Sequence, residues 1–540
     1  MKRAMVLGGL LVFFLAAPAW ADDVCGAPVK TGYGLLRGLA DTATATCVYR
    51  GIPYAQPPVG KLRWRAPVAP EAWTGVREAR EWGARCLQSG FMEAVNFDPS
   101  GKMSEDCLYL NVWRPQKSGS FPVMVWIHGG GYTAGAGSTP MYWGDRLAAA
   151  GDVVVVSINY RLNVFGFLAT PEMQKEDQNG SVGSYGSLDQ VAAIKWVHDN
   201  VAAFGGDPEN VTIFGESAGG WSVCTMLATP LNRGLIHRAI LESGGCMASA
   251  GLEKGFAQGR LTAERLGCPP GDLECLRRLP AKTVLKKGTG GQLEGFVWVP
   301  HHDGYLLSDT PLSMIRAGNY NRIPFMAGSN KNEVDVVLNV MSDLRRAQPA
   351  DYETLMKKYL GVNDAEAARL TRLYPLADYE NTKKAFGRLA TDAGLGCPTY
   401  LGLLAAAGGP PKTFYYRFDF DGMILGKTLG AVHSMEIPFV FNALDRKPTS
   451  MLYPRKVKPE IQELARTMQG YWLNFAKTGD PNGGGLPAWP AFTPEAQTMQ
   501  VLDTPVHSEP AGISEQCAFW DEYNQSHAPI FETMGRTEKD

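Results

Sequence analysis

Phe214-Gly215-Glu216-Ser217-Ala218-Gly219-Gly220 follows an apolar run at residues 211–214 and leads into a helix-like pattern over residues 217–227. A strand that enters a tight, glycine-flanked turn and leaves it as a helix exposes the serine hydroxyl at a sheet's edge, as a nucleophile elbow does. Small flanking residues are needed because the backbone doubles back on itself there. The pattern G-x-S-x-G alone decides little in a chain of 540 residues with 61 glycines. The strand before it and the helix after it carry the reading. The bland alternative is a glycine-rich turn in which Ser217 is an ordinary helix N-cap.

Similar β-rich runs recur on both sides of the elbow, at residues 122–127, 153–160, 239–242, 323–327 and 414–420. Most are nearly continuously apolar, which suits strands covered on both faces. Helix-like patterns such as residues 188–203 lie between several of them. This alternation predicts an α/β fold with a mostly parallel central sheet and helices on both faces. Residues 250–410 are less regular, with helical candidates at 350–360 and 365–373. They read as a helical cap region over the sheet's carboxyl edge, where open α/β sheets place their sites.

Upstream, residues 123–127 run into His128-Gly129-Gly130-Gly131-Tyr132. A glycine-rich loop after a strand can aim several backbone N–H groups at one point, and with the residue after the nucleophile it forms an oxyanion hole. The expected donors are Gly130, Gly131 and Ala218. A phosphate-binding turn is the poorer reading, because no Lys-Ser or Lys-Thr pair follows. A serine nucleophile needs a base, and the base an orienting acid. Of eight histidines, His433 follows the late strand 414–420 and precedes the apolar stretch 437–441, as the order Ser, acid, His requires. His507, in Thr504-Pro505-Val506-His507-Ser508, reads as part of a surface loop. The strand 323–327 leads to Gly328-Ser329-Asn330-Lys331-Asn332-Glu333-Val334-Asp335, where Glu333 and Asp335 both fit the acid on local grounds.

The first residues concern destination. Lys2 and Arg3 precede an apolar run at residues 4–17, followed by Ala19-Trp20-Ala21 and Asp22-Asp23. This predicts a signal peptide over residues 1–21, cut after Ala21, a mature domain over 22–540, and a secreted or periplasmic protein. The run is shorter than the ~20 residues a span needs, so no stable membrane insertion is expected. A formal net charge of −2 carries no basic excess that would suit nucleic acid. All ten cysteines lie beyond the leader, and an even count in an exported chain reads as a disulfide framework. None is grouped with histidines as metal ligands are, so no metal is expected.

Further runs make the chain resemble a known family. They include Gly51-Ile52-Pro53-Tyr54-Ala55-Gln56-Pro57-Pro58-Val59-Gly60, Ser104-Glu105-Asp106-Cys107-Leu108-Tyr109-Leu110-Asn111-Val112 and Asn159-Tyr160-Arg161. Gly205-Gly206-Asp207-Pro208, the elbow itself and Cys517-Ala518-Phe519-Trp520 continue the pattern. With these motifs the mature chain resembles the type-B carboxylesterase family, which includes cholinesterases and bacterial p-nitrobenzyl esterases. The resemblance implies the α/β-hydrolase fold and a secreted serine esterase acting on a small-molecule ester without a cofactor. It selects Glu333 as acid and His433, in Val432-His433-Ser434-Met435-Glu436, as base. Val334 departs from the glycine common after the family's acid, which keeps Asp335 as a rival. Glu216 resembles the family's buried auxiliary carboxylate. Phe296 and Trp298 would form an apolar wall against the acyl group. The family pairs Cys86 with Cys107, Cys268 with Cys275 and Cys397 with Cys517, and Cys25 with Cys47 is then a reasonable further bridge. Cys224 and Cys246 remain open between a fifth bridge and buried thiols. Rival readings are a lipase with Phe91, Met92 and Phe97 on an interfacial lid, a hydrolase of amides, carbamates or natural-product esters, and a catalytically silent binding protein of the same fold.

Overall fold

A computed structural model describes residues 24–89, 98–289, 298–453 and 457–527. The leader expected at residues 1–21, the lid residues Phe91, Met92 and Phe97, and Phe296 lie outside the described residues.

The apolar runs form one eleven-stranded sheet. In chain order its strands are β1 (Leu39–Asp41), β2 (Thr46–Pro53), β3 (Tyr109–Pro115), β4 (Phe121–Ile127), β5 (Val154–Ile158) and β6 (Gly206–Glu216). They continue with β7 (Arg238–Glu242), β8 (Phe325–Asn330), β9 (Thr413–Phe418), β10 (Thr498–Leu502) and β11 (His507–Pro510). Across the sheet they stand β11-β10-β9-β8-β7-β6-β4-β5-β3-β2-β1. Every neighbouring pair from β10 across to β5 is parallel, and the pairs at both flanks are antiparallel. This is the α/β-hydrolase architecture, with a mostly parallel centre as the strand patterns required.

Alternation along the strands sorts their side chains into two cores. Val123, Val125, Ile127, Ile213 and Leu241 point to one, while Met124, Trp126, Phe214, Ile240 and Met326 point to the other. Helices α1 (Tyr185–Asn200), α2 (Ala218–Ala228) and α3 (Cys397–Ala406) contribute to the first core, and α4 (Pro459–Thr478) covers the second with Tyr471, Trp472 and Phe475. All residues of α2 are buried, so it has no polar stripe and is held by packing on every side. Helix α4 starts on Pro459 with Glu460 in its first turn, and stops at Gly479 in the left-handed conformation.

Two strands run further than their apolar stretches suggest. β6 continues through Gly215 and Glu216, and β8 through Ser329 and Asn330, where polar residues replace apolar ones at the carboxyl edge. His507 lies on the exposed edge strand β11 rather than in a loop, because Val501 and Gln500 pair with His507 and Ser508. Among the described residues no helix is long and apolar enough to cross a membrane.

Five disulfides join Cys25–Cys47, Cys86–Cys107, Cys224–Cys246, Cys268–Cys275 and Cys397–Cys517. The pair left open in sequence therefore closes a fifth bridge, from α2 to the segment after β7. Sequence separation is 120 for Cys397–Cys517 and 7 for Cys268–Cys275. Loop entropy assigns about 5 kcal/mol to the long loop and about 2.5 kcal/mol to the short one. Denaturant unfolding of the Cys397→Ser/Cys517→Ser and Cys268→Ser/Cys275→Ser proteins should show the larger loss in the first.

Candidate active site

Because the central strands are parallel, the loops that follow β4, β6, β7, β8 and β9 all leave from one edge of the sheet. Those loops carry His128 to Gly131, Ser217, Ser243, Glu333 and His433.

At the end of β6 the chain reverses so tightly that Ser217 takes φ 59° and ψ −122°, a conformation an L-residue seldom adopts. Its N–H donates to the carbonyl of Glu242 at 2.9 Å, and its own carbonyl accepts the N–H of Trp221 at 2.9 Å. The turn requires glycine at 219, where a Cβ would stand 2.0 Å from the Ile127 carbonyl oxygen. Ser217 itself remains partly exposed, whereas Glu216 and Ala218 are buried.

The loop after β4 is pressed against this turn. A Cβ on Gly129 would lie 2.9 Å from the Ser217 Cβ and 2.8 Å from Glu216 Oε2. Gly130 and Gly131 both have positive φ, 107° and 61°. His128 is not free to act as a base. Its ring is buried, stacks on Tyr160 at 4.4 Å and has Nδ1 2.8 Å from the Gly129 carbonyl oxygen. Burial outweighs that bond and lowers its pKa to about 4.

His433 lies between two carboxylates. Nδ1 is 2.7 Å from Glu333 Oε2, and Nε2 is 3.1 Å from Glu216 Oε1. Glu333 is held in turn by the N–H of Asn330, which donates to Oε1 at 2.7 Å. Ser434 donates its hydroxyl to Glu216 Oε1 at 2.6 Å. The structure thus joins Glu333, His433 and Glu216 directly and sets Ser217 beside them through the backbone of Glu216. Nε2 meets Glu216 Oε1. Asp335, the rival acid, is turned to the Lys384 ammonium at 2.7 Å. Trp298 is buried with its indole N–H on the Thr289 carbonyl.

Desolvation pulls the His433 pKa down, but the charges of Glu216 and Glu333 outweigh it and push the imidazole up. Glu216 is itself raised by burial, against the pull of His433 and Ser434. Two more buried carboxyls lie behind them. Glu436, bonded by the Asn330 side chain at 2.5 Å, is raised well above the carboxylate range by burial and by its acidic neighbours. Glu242, bonded by the Trp472 indole N–H at 2.8 Å, is raised by burial to about 8. Sequence reading passed over Glu242, Glu436, Ser434 and Trp472. The available signal was a carboxylate ending the otherwise apolar run 239–242, and another three residues after His433.

A model of the carboxylesterase family matches residues 26–520. The chain is 35% identical to a para-nitrobenzyl esterase of Bacillus subtilis (strain 168) over 499 residues, 90% of this chain and 97% of that one. It is 34% identical to a liver carboxylesterase of Sus scrofa over 564 residues, 95% and 96% of the two chains. Among solved structures, Geobacillus stearothermophilus carboxylesterase EST55 superposes with a TM-score of 0.80 at 36% identity, covering 91% of this chain and 99% of its own.

The electrostatics of His433 can be checked without any substrate. Glu216→Gln removes the largest of the charges that raise the imidazole, so its pKa should fall by about one pH unit or more. Histidine NMR titration, with His433→Gln for assignment, reads the change. An unchanged or higher value would show that Glu216 does not act on His433.

Proposed function

The chain belongs to the carboxylesterase family and is a carboxylic ester hydrolase, and from that premise we propose that it cleaves esters through an acyl-enzyme on Ser217. The observation that carries this reading is the imidazole of His433, fixed at Nδ1 by Glu333 at 2.7 Å beside a strained elbow. A bond at Nδ1 sets the tautomer and leaves Nε2 as the working atom.

In this reading the proton shared between Nε2 and Glu216 stays on the Glu216 carboxyl, which burial raises, and the freed Nε2 takes the proton of the Ser217 hydroxyl as its oxygen attacks the ester carbonyl carbon. Glu333 keeps the ring oriented and balances the imidazolium that forms. The N–H groups of Gly130, Gly131 and Ala218 hold the oxyanion. Ala218 opens α2, where the first N–H groups have no partner within the helix. His433 then gives its proton to the departing alcohol, and water releases the acid by the same route. Glu333 rather than Asp335 fills the acid's role, because of these two only Glu333 touches the ring, at Nδ1. The buried Trp298 serves as a wall against the acyl group.

Export is part of the same reading. The basic head, apolar run and Ala19-Trp20-Ala21 of the leader fit a cleaved signal, and five disulfides fit an oxidising compartment.

The substrates best suited to the site are neutral esters. Cation recognition by aromatic rings needs a ring face close to the charge. The residues after Glu333 are Val334, Asp335, Val336 and Val337, and the sequence between Cys86 and Cys107 has no tryptophan.

Ser217→Ala should lower kcat/KM for a neutral aryl ester by about a thousandfold or more, and should abolish stoichiometric labelling by an organophosphonate. Near-normal turnover in a folded Ser217→Ala protein would remove the serine from the mechanism. On the substrate side, kcat/KM for butyrylcholine should not exceed that for 3,3-dimethylbutyl butyrate. A tenfold preference for the cation, about 1.4 kcal/mol, would reveal a cation site.

A further inference from the structure

Directly beneath Ser217 the sheet buries a carboxyl group that the proposed reaction does not use. β7 is apolar through Ala239, Ile240 and Leu241 and then ends on Glu242, which is fully buried. Glu242 stands in register with Glu216 of β6 on one side and Gly328 of β8 on the other. Its two ends serve different neighbours. The backbone carbonyl accepts the Ser217 N–H at 2.9 Å, while side-chain Oε1 accepts the Trp472 indole N–H of α4 at 2.8 Å. Helix α2 rests on the same residue, since a Cβ on Gly220 would lie 2.8 Å from the Glu242 carbonyl oxygen. Oε2 is buried and has no hydrogen-bond partner among the described residues.

We propose that Glu242 is a positioning residue for Ser217, fixing the elbow from below as a neutral carboxylic acid anchored on Trp472. The proposal rests on Ser217 being the nucleophile. A neutral acid accepts the Trp472 N–H at Oε1 and leaves a single uncharged O–H at Oε2 without a partner among the described residues, whereas a carboxylate at the same place would leave a buried charge with one donor, which a dry surrounding penalises far more. The titratable groups that act on it or that it acts on are all acidic: Glu216 from β6, Glu436 from the turn after His433, and the Tyr416 phenol from β9. Burial raises Glu242 to about 8, Glu216 adds to the rise and the Trp472 bond opposes it. Ionisation above that pH draws the end of β7 toward water, and with it the carbonyl that holds the Ser217 N–H.

Three variants test this with a neutral aryl ester. Glu242→Ala should lose kcat at least about tenfold with little change in KM, and Glu242→Gln, which keeps the acceptor for Trp472 and cannot ionise, should recover most of it. Across pH 6 to 10, kcat of the unaltered enzyme should fall about tenfold per pH unit above a break near 8, and that break should be absent in Glu242→Gln. Trp472→Phe removes the bond that favours the charged form, so the break should move to higher pH. The proposal is overturned if the alkaline break persists in Glu242→Gln, or if a folded Glu242→Gln protein stays as slow as Glu242→Ala at pH 7. Phosphonate labelling run beside the rate measurements separates the two readings. Labelling that survives Ser217→Ala refutes the nucleophile itself, whereas labelling lost with Ser217 but unchanged alkaline behaviour in Glu242→Gln refutes only the role of Glu242.

Discussion

The end of β6 and the end of β4 approach so closely that a Cβ on Gly219 or Gly215 would come within 2.0 or 2.6 Å of the Ile127 carbonyl oxygen. This contact organises the rest of the site. It forces the reversal that places Ser217 at φ 59°, and it presses the Gly129 to Gly131 loop against the serine. Such backbone strain costs of the order of 1–3 kcal/mol. Two backbone hydrogen bonds at Ser217 and a helix buried on every side offset it, so the turn persists. A surface helix, packed on one stripe only, would have far less contact with which to resist relaxation.

Around that turn lie four buried carboxyl groups, Glu216, Glu242, Glu333 and Glu436, and the imidazole of His433. Like charges a few ångströms apart in a poorly hydrated interior repel strongly, and burial penalises each one further. The group therefore divides its protons. Glu333 accepts from the Asn330 N–H and from His433, whereas Glu242 and Glu436 are pushed toward the neutral form. Glu216 stands between these conditions, with burial opposing His433 and Ser434. Glu333 thus differs from Glu242 and Glu436 through the imidazole it meets, not through residue type.

Much of this was legible in the sequence. Continuous apolar runs between helix-like segments gave away the parallel sheet because both faces must be covered, and the elbow and glycine loop were visible because the chain can reverse so tightly only with small residues. The acid was not legible from local pattern. Glu333 and Asp335 are two residues apart on one turn, and what separates them is spatial: His433 arrives from after β9, while Lys384 arrives from elsewhere to engage Asp335. The strand ends were misjudged for a related reason. Hydrophobic pattern stops where β6 and β8 become polar, yet their ladders continue through Glu216 and Asn330. Those last residues belong at once to the sheet and to the site. Whether Cys224 closes a bridge with Cys246, and what Glu242 meets, were likewise not legible, since each is set by the packing of separate elements.

The buried acids also bear on stability, in a direction opposite to a surface carboxylate's. Glu242 has an ordinary value of 4.5 and a folded value of about 8, so between these limits the native chain holds a proton that the unfolded chain has released. Stability from this group is fully present below about 4.5 and drains as pH rises, by up to about 1.4 kcal/mol per pH unit, until both states are ionised. Glu436 is shifted in the same direction. Neutral pH falls inside the window in which Glu242 acts against the fold. An apolar residue at either place would avoid that penalty and commonly gives a more stable core. Neither group repays its burial through an ion pair, because Glu242 meets an indole and Glu436 an amide and a hydroxyl. Their placement is directly behind the elbow and the His433 turn, next to the Glu333 that holds the imidazole. Stability at this edge of the sheet and the electrostatics of the site pull in opposite directions, and the fold absorbs the difference elsewhere, in two continuous cores and five disulfides.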